Sequence, residues 1–212
     1  MADIAIDPEL VVWSTEPEGR DQHPLVIVMH GRGSDERDLA SLFTLLPSGF
    51  TYASLRAPHD YGPGFAWFDD AVEPPGDPRL AAGDAMADAV LSWLRRLPWR
   101  PTTVGTLGFS QGGALATHLL RQGHGIVSFA VNMSGFVVGG SHPADAALAI
   151  ARPPAYWGRG AVDPFFTPEL IHRAEQWLPH HTTLTGAVYP GLGHSVSDEM
   201  LRDVAEFLRA RR

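Results

Sequence analysis

Five consecutive apolar residues, Leu25-Val26-Ile27-Val28-Met29, end abruptly in His30-Gly31-Arg32-Gly33. A strand exposed on one face alternates apolar with polar side chains. An unbroken run fits a strand buried on both faces, as in a parallel sheet covered by helices. The rest of the chain repeats this pattern. Short apolar or β-branched runs at 51–55, 102–107, 126–133, 154–158 and 182–189 read as strands. Helical periodicity covers 80–97, 114–121, 168–178 and the stretch from about Ser197. Ser34 or Asp35 is placed to cap a further helix reaching about Leu46, where Pro47 and Gly49 stop it. Strands alternating with helices predict an α/β architecture with a mostly parallel central sheet and helices on both faces. The 212 residues show no internal repeat, low-complexity tract or linker, which predicts one domain over 1–212.

Composition narrows the chemistry. Net charge is −8, which disfavours nucleic acid and anionic membrane as partners. All 16 basic residues are arginine, so no lysine nucleophile exists, and the absence of cysteine removes thiol chemistry, disulfides and thiolate metal sites. No stretch approaches the roughly 18 apolar residues of a membrane span. The first eight residues are acidic, with no cationic lead or apolar run, which predicts no signal peptide and a cytoplasmic protein.

Gly108-Phe109-Ser110-Gln111-Gly112 matches G-x-S-x-G between a predicted strand and a predicted helix, the context of the nucleophile elbow of α/β-hydrolases. In that turn the serine is lifted off the sheet edge, and glycines are needed where side chains would strike neighbouring backbone. The following helix aims its N-terminal N–H groups at the site. The triad order of this fold, Ser then Asp or Glu then His, is met by Ser110, Asp163 and His194, the last two just past predicted strands. Asp69, Asp70 and Asp198 are the competing acids. The first two fall in a long loop, and Asp198 follows His194 too closely to keep the order. Among the other histidines, His180 and His181 read as solvated, His118 as a surface or packing residue, and His30 as a structural hydrogen-bonding group. No histidine pair has metal-ligand spacing with a carboxylate, so neither metal nor cofactor is expected. The backbone N–H groups of Arg32 and Gln111 are the expected oxyanion donors. A Gly- and Pro-rich loop over 58–78 carries Tyr61, Phe65, Trp67 and Phe68, a natural wall for an apolar substrate.

Together, His30-Gly31-Arg32-Gly33-Ser34-Asp35, Arg56-Ala57-Pro58, Trp67-Phe68-Asp69, Gly108-Phe109-Ser110-Gln111-Gly112-Gly113, Ser134-Gly135-Phe136 and Gly191-Leu192-Gly193-His194 resemble the phospholipase/carboxylesterase family. This family includes acyl-protein thioesterases and small bacterial carboxylesterases. The resemblance implies a triad at Ser110, Asp163 and His194, oxyanion donors at Arg32 and Gln111, and a place for Trp67 in the acyl-binding loop. Two positions depart from the thioesterase branch. Arg32 stands where a small apolar residue is usual, and Phe165-Phe166 follow Asp163-Pro164 where two valines are frequent. Phe165 and Phe166 are expected to narrow the site, and Trp67, Phe68 and Phe165 are the expected substrate contacts.

Residues 134–154 are too few for a cap domain, which predicts an open site. The expected activity is serine carboxylesterase, acting on short- to medium-chain carboxylic esters through an acyl-enzyme on Ser110. Lysophospholipase or acyl thioesterase activity, a cofactor-free perhydrolase and an inactive binding module of the same fold are the alternatives. The expected partner is a small-molecule ester, with no nucleic acid, no stable membrane association and a possible homodimer. The Arg32 side chain reads as a solvated charge, with a preference for anionic substrates as the other reading.

Overall fold

A computed structural model describes residues 4–68 and 79–212 of the protein. Seven strands form one sheet in the order β1 (Val12–Trp13), β3 (Thr51–Leu55), β2 (Leu25–Met29), β6 (Val104–Phe109), β7 (Phe129–Met133), β8 (Pro154–Gly160) and β9 (Thr183–Tyr189). β1 runs antiparallel to β3, and the other pairings are parallel. The helices are α1 (Leu80–Arg95), α2 (Gln111–Gln122), α3 (Asp145–Ala151), α4 (Pro168–His181) and α5 (Asp198–Arg209).

β2 shows why its sequence is apolar throughout. Leu25, Ile27 and Met29 point to one face, into a core shared with Met86 and Val90 of α1 and Leu115 and Leu119 of α2. Val26 and Val28 point to the other, against Val204, Phe207 and Leu208 of α5. All five β2 side chains are fully buried. At roughly 1.5–3 kcal/mol for each large apolar side chain removed from water, both layers of helices are held to the sheet through this strand and its neighbours.

Three local expectations need correction. Residues 34–46 do not form a helix; only a 3₁₀ segment, Leu39–Leu42, appears there. Polar side chains bond the backbone and one another instead: Asp35 accepts from the N–H of Arg37 at 2.8 Å, Ser41 Oγ donates to the Asp38 carbonyl, and Ser34 Oγ donates to the Asp38 carboxylate at 2.8 Å. Glu36, 2 % exposed, is drawn to Arg56 by two hydrogen bonds of 2.6 Å. The loop expected over 58–78 contains a small hairpin, β4 (His59–Tyr61) with β5 (Gly64–Ala66), while residues 69–78 lie outside the described segments. The strand expected over 126–133 begins only at Phe129, because residues 123–128 turn back on α2 through bonds from Ile126 and Val127 to the Gly123 carbonyl. β1 and α3 are too short to show in sequence periodicity.

α3 and its flanking loops are all that stands between β7 and β8, and the described residues contain no cap domain. Among them, no helix is long and apolar enough to cross a membrane.

His118, in the middle of α2, is a packing residue, 1 % exposed. Burial pushes its pKa down to about 4, although Asp84 lies 2.8 Å from Nε2 and pulls the other way. Above that pH the contact is a hydrogen bond to a neutral ring rather than an ion pair. The unfolded chain takes up this proton near pH 6.5 and the folded chain does not. Stability is therefore expected to fall as pH drops from about 6.5 to about 4, by an order of 3 kcal/mol from this group alone. Urea denaturation across that window checks it. His118→Gln, which keeps a donor for Asp84 without a titrating group, is expected to flatten this part of the profile.

Candidate active site

The site lies where the carboxyl ends of β6, β7, β8 and β9 meet the turns that follow them. At the end of β6 the chain turns sharply into α2 through Ser110, whose φ of 55° lies in the left-handed region. A non-glycine residue held there stores roughly 1–3 kcal/mol of strain, which the surrounding packing must hold. The packing is close: a Cβ on Gly108 would come 2.1 Å from the Gly112 carbonyl oxygen, and one on Gly112 would come 2.0 Å from that of Met29. Larger residues at either position would push the elbow off the sheet.

His194 sits in the turn after β9 and Asp163 in the turn after β8. Nε2 of His194 is 2.8 Å from Ser110 Oγ, and Nδ1 is 2.7 Å from Asp163 Oδ2. With Asp163 ionised, Nδ1 must carry the proton and donate it, which leaves Nε2 to accept from the serine hydroxyl. The other carboxylate oxygen of Asp163 accepts from the Phe165 N–H at 3.0 Å, and the carboxylate is sealed from solvent. The imidazole is wedged between the rings of Phe109 and Phe165, at 4.9 and 4.8 Å between centroids. Three residues separated by 31 and 84 positions thus meet in one hydrogen-bonded chain. Of the competing acids, Asp198 opens α5, and Asp69 and Asp70 lie outside the described residues.

Beside this chain is a cavity of about 280 Å³. Arg32, Ser110, Gln111, Ser134 and His194 form its polar wall; Phe136, Phe165, Phe166 and Leu170 form its apolar wall. Gln111 is the first residue of α2, so its N–H has no acceptor within the helix. Arg32 occupies the tight turn after β2, which Gly33 closes with a φ of +80° and Ser34 with a bond to the Gly31 carbonyl. The Arg32 guanidinium lies over the Tyr61 ring, 5.3 Å from its centroid.

Trp67 and Phe68 do not take the place expected of them. Both are buried, 0 % and 1 % exposed, and neither lines the cavity among the described residues. An indole is costly to leave in water, and here its N–H finds a partner inside: Trp67 Nε1 donates to the His30 carbonyl at 2.8 Å. The Trp67 backbone N–H donates to the Gln111 side chain at 3.1 Å. Trp67 thus ties the turn after β2 to the first residue of α2. Leu170 was missed because the first turn of α4 carries no motif. Ser134 was missed as a cavity residue although it directly follows a strand in register with β6.

A mostly parallel sheet, helices on both faces and a Ser–His–Asp chain at the carboxyl ends of its strands define the α/β-hydrolase class. Within that class, the family model for phospholipases and carboxylesterases matches residues 12–211, and the chain belongs to this family. No curated protein matches the sequence. Among solved structures, esterase PE8 aligns with a TM-score of 0.79 at 23% identity, over 98% of this chain and 99% of the other. The carboxylesterase from Mesorhizobium loti aligns at 0.77 and 20%, over 99% and 97%. Acyl-protein thioesterase 2 of Zea mays aligns at 0.72 and 22%, over 94% and 97%. At these identities the likeness is one of fold.

Proposed function

We propose that the protein is a serine carboxylesterase that hydrolyses short- to medium-chain carboxylic esters through an acyl-enzyme on Ser110. The observation that carries this reading is the hydrogen-bonded chain from Ser110 through His194 to Asp163, opening on a cavity with an apolar wall. In the proposed reaction His194 takes the hydroxyl proton as Oγ attacks the ester carbon. The tetrahedral oxyanion is met by the N–H groups of Arg32 and Gln111. His194 then returns the proton to the departing alcohol, and water repeats the sequence on the acyl-enzyme. Asp163 keeps the imidazole in the accepting tautomer and stabilises its cation.

The acyl-length range rests on the size of the cavity. A volume of about 280 Å³ lies at the lower edge of the range of roughly 300–1,000 Å³ for small-molecule sites. Hydrolysis of p-nitrophenyl esters from acetate to palmitate tests it. Each CH₂ that enters an apolar wall is worth about 0.8 kcal/mol, or roughly fourfold in kcat/KM. The expected profile rises from acetate, peaks between butyrate and octanoate, and falls beyond. A peak at palmitate would overturn the range and favour a lysophospholipase or thioesterase.

A further inference from the structure

The geometry points to His30 as a positioning residue that sets the direction of the Arg32 N–H in the oxyanion turn, an inference that rests on the hydrolytic reading above. His30 is fully buried and takes no part in the Ser110–His194–Asp163 chain. Its Nε2 lies 3.1 Å from the backbone N–H of Ala57, a group that only donates, so Nε2 is the acceptor. The ring proton therefore sits on Nδ1, which donates to the Gly31 carbonyl oxygen at 2.7 Å. Burial lowers the pKa of the ring and favours this neutral form.

In a trans peptide the C=O and the following N–H point to opposite sides of one plane. By holding the Gly31 carbonyl toward the buried imidazole, His30 turns the Arg32 N–H the other way. Arg32 is the residue of this turn that lines the cavity. Ser34 N–H reinforces the arrangement with its own bond to the Gly31 carbonyl at 3.2 Å. The preceding carbonyl, that of His30, is held by the Trp67 indole. Were the Gly31–Arg32 peptide rotated, a carbonyl oxygen would replace a donor where negative charge develops. Glycines on both sides of Arg32 make such a rotation easy, and the imidazole opposes it with the shorter of the two bonds that hold the Gly31 carbonyl.

Asparagine at position 30 places an amide donor near the position of Nδ1, whereas glutamine places its amide near Nε2. On p-nitrophenyl acetate, His30→Gln is expected to lose about 10²-fold in kcat, the size of one lost oxyanion donor, with KM within about threefold. His30→Asn is expected to recover kcat to within about tenfold of wild type, although it gives up the bond from Ala57. Equal kcat losses in the two variants, losses confined to KM, or losses that only track the melting temperature would overturn the inference. Should neither variant fold, Trp67→Phe decides. It frees the His30 carbonyl and takes away the indole that packs 5.3 Å from the imidazole, so the ring loses its fixed place and kcat is expected to fall about tenfold; an unchanged kcat overturns the inference. Wild-type protein that cleaves no ester in the series would refute the hydrolytic reading itself, which keeps the two failures apart.

Discussion

Replacing Ser110 by alanine is expected to lower kcat on p-nitrophenyl butyrate by about 10⁶-fold, the loss found when the nucleophile of a serine triad is removed. The change deletes one hydroxyl and leaves the elbow in place. Alanine meets the same left-handed φ of 55°, and Gly108 and Gly112 keep their close approaches. The melting temperature should therefore stay near that of wild type, and the loss should lie in kcat rather than KM. The variant should also fail to take up a fluorophosphonate that labels wild-type protein stoichiometrically. Turnover above about 1% of wild type would mean that Ser110 is not the nucleophile, because residual catalysis from binding and the oxyanion hole lies far below that level.

For Asp163→Asn the expected loss is about 10⁴-fold in kcat, and its origin differs. The amide is nearly isosteric with the carboxylate but can present N–H to Nδ1 of His194. The ring then carries its proton on Nε2 and offers a donor, not an acceptor, to Ser110. The carboxylate is sealed from solvent and sits 2.7 Å from Nδ1, so little water is at hand to take its place. The bond from the Phe165 N–H to Oδ1 survives if the amide oxygen faces it, which should preserve the turn that holds Phe165 over His194. A crystal structure of the variant with unchanged backbone and a fluorophosphonate labelling rate reduced in step with kcat would agree with this account. Near-normal turnover would place the acid elsewhere.

The elements that carry Ser110, Asp163 and His194 were legible because each obeys a local rule. An unbroken apolar run such as Leu25–Met29 suits only a strand covered on both faces, and that strand pattern locates the carboxyl ends where the three residues lie. The glycines around Ser110 stand where a Cβ would come about 2 Å from a backbone oxygen, a constraint that leaves a mark in the sequence. Phe165 was legible as a cavity residue through its position next to Asp163.

What stayed hidden depended on partners distant in the chain. Residues 34–46 have the composition of a helix, yet Glu36 pairs with Arg56 twenty positions away, Asp35 accepts from the Arg37 N–H, and Asp38 accepts from the Ser34 hydroxyl. Trp67 reads as a substrate contact because an aromatic in a glycine-rich loop needs a surface to cover. Only the folded chain shows that the surface is internal, with the His30 carbonyl waiting for the indole N–H. The orientation of the Gly31–Arg32 peptide is equally invisible in sequence, since Gly-Arg-Gly allows it either way. The sequence by itself determined the strand pattern, the elbow and the order of its polar partners, because backbone sterics and burial act over a few residues. The tertiary structure alone decided which buried polar groups find each other, because each hydrogen bond in a dry interior must be satisfied by whatever the fold brings within 3 Å or so.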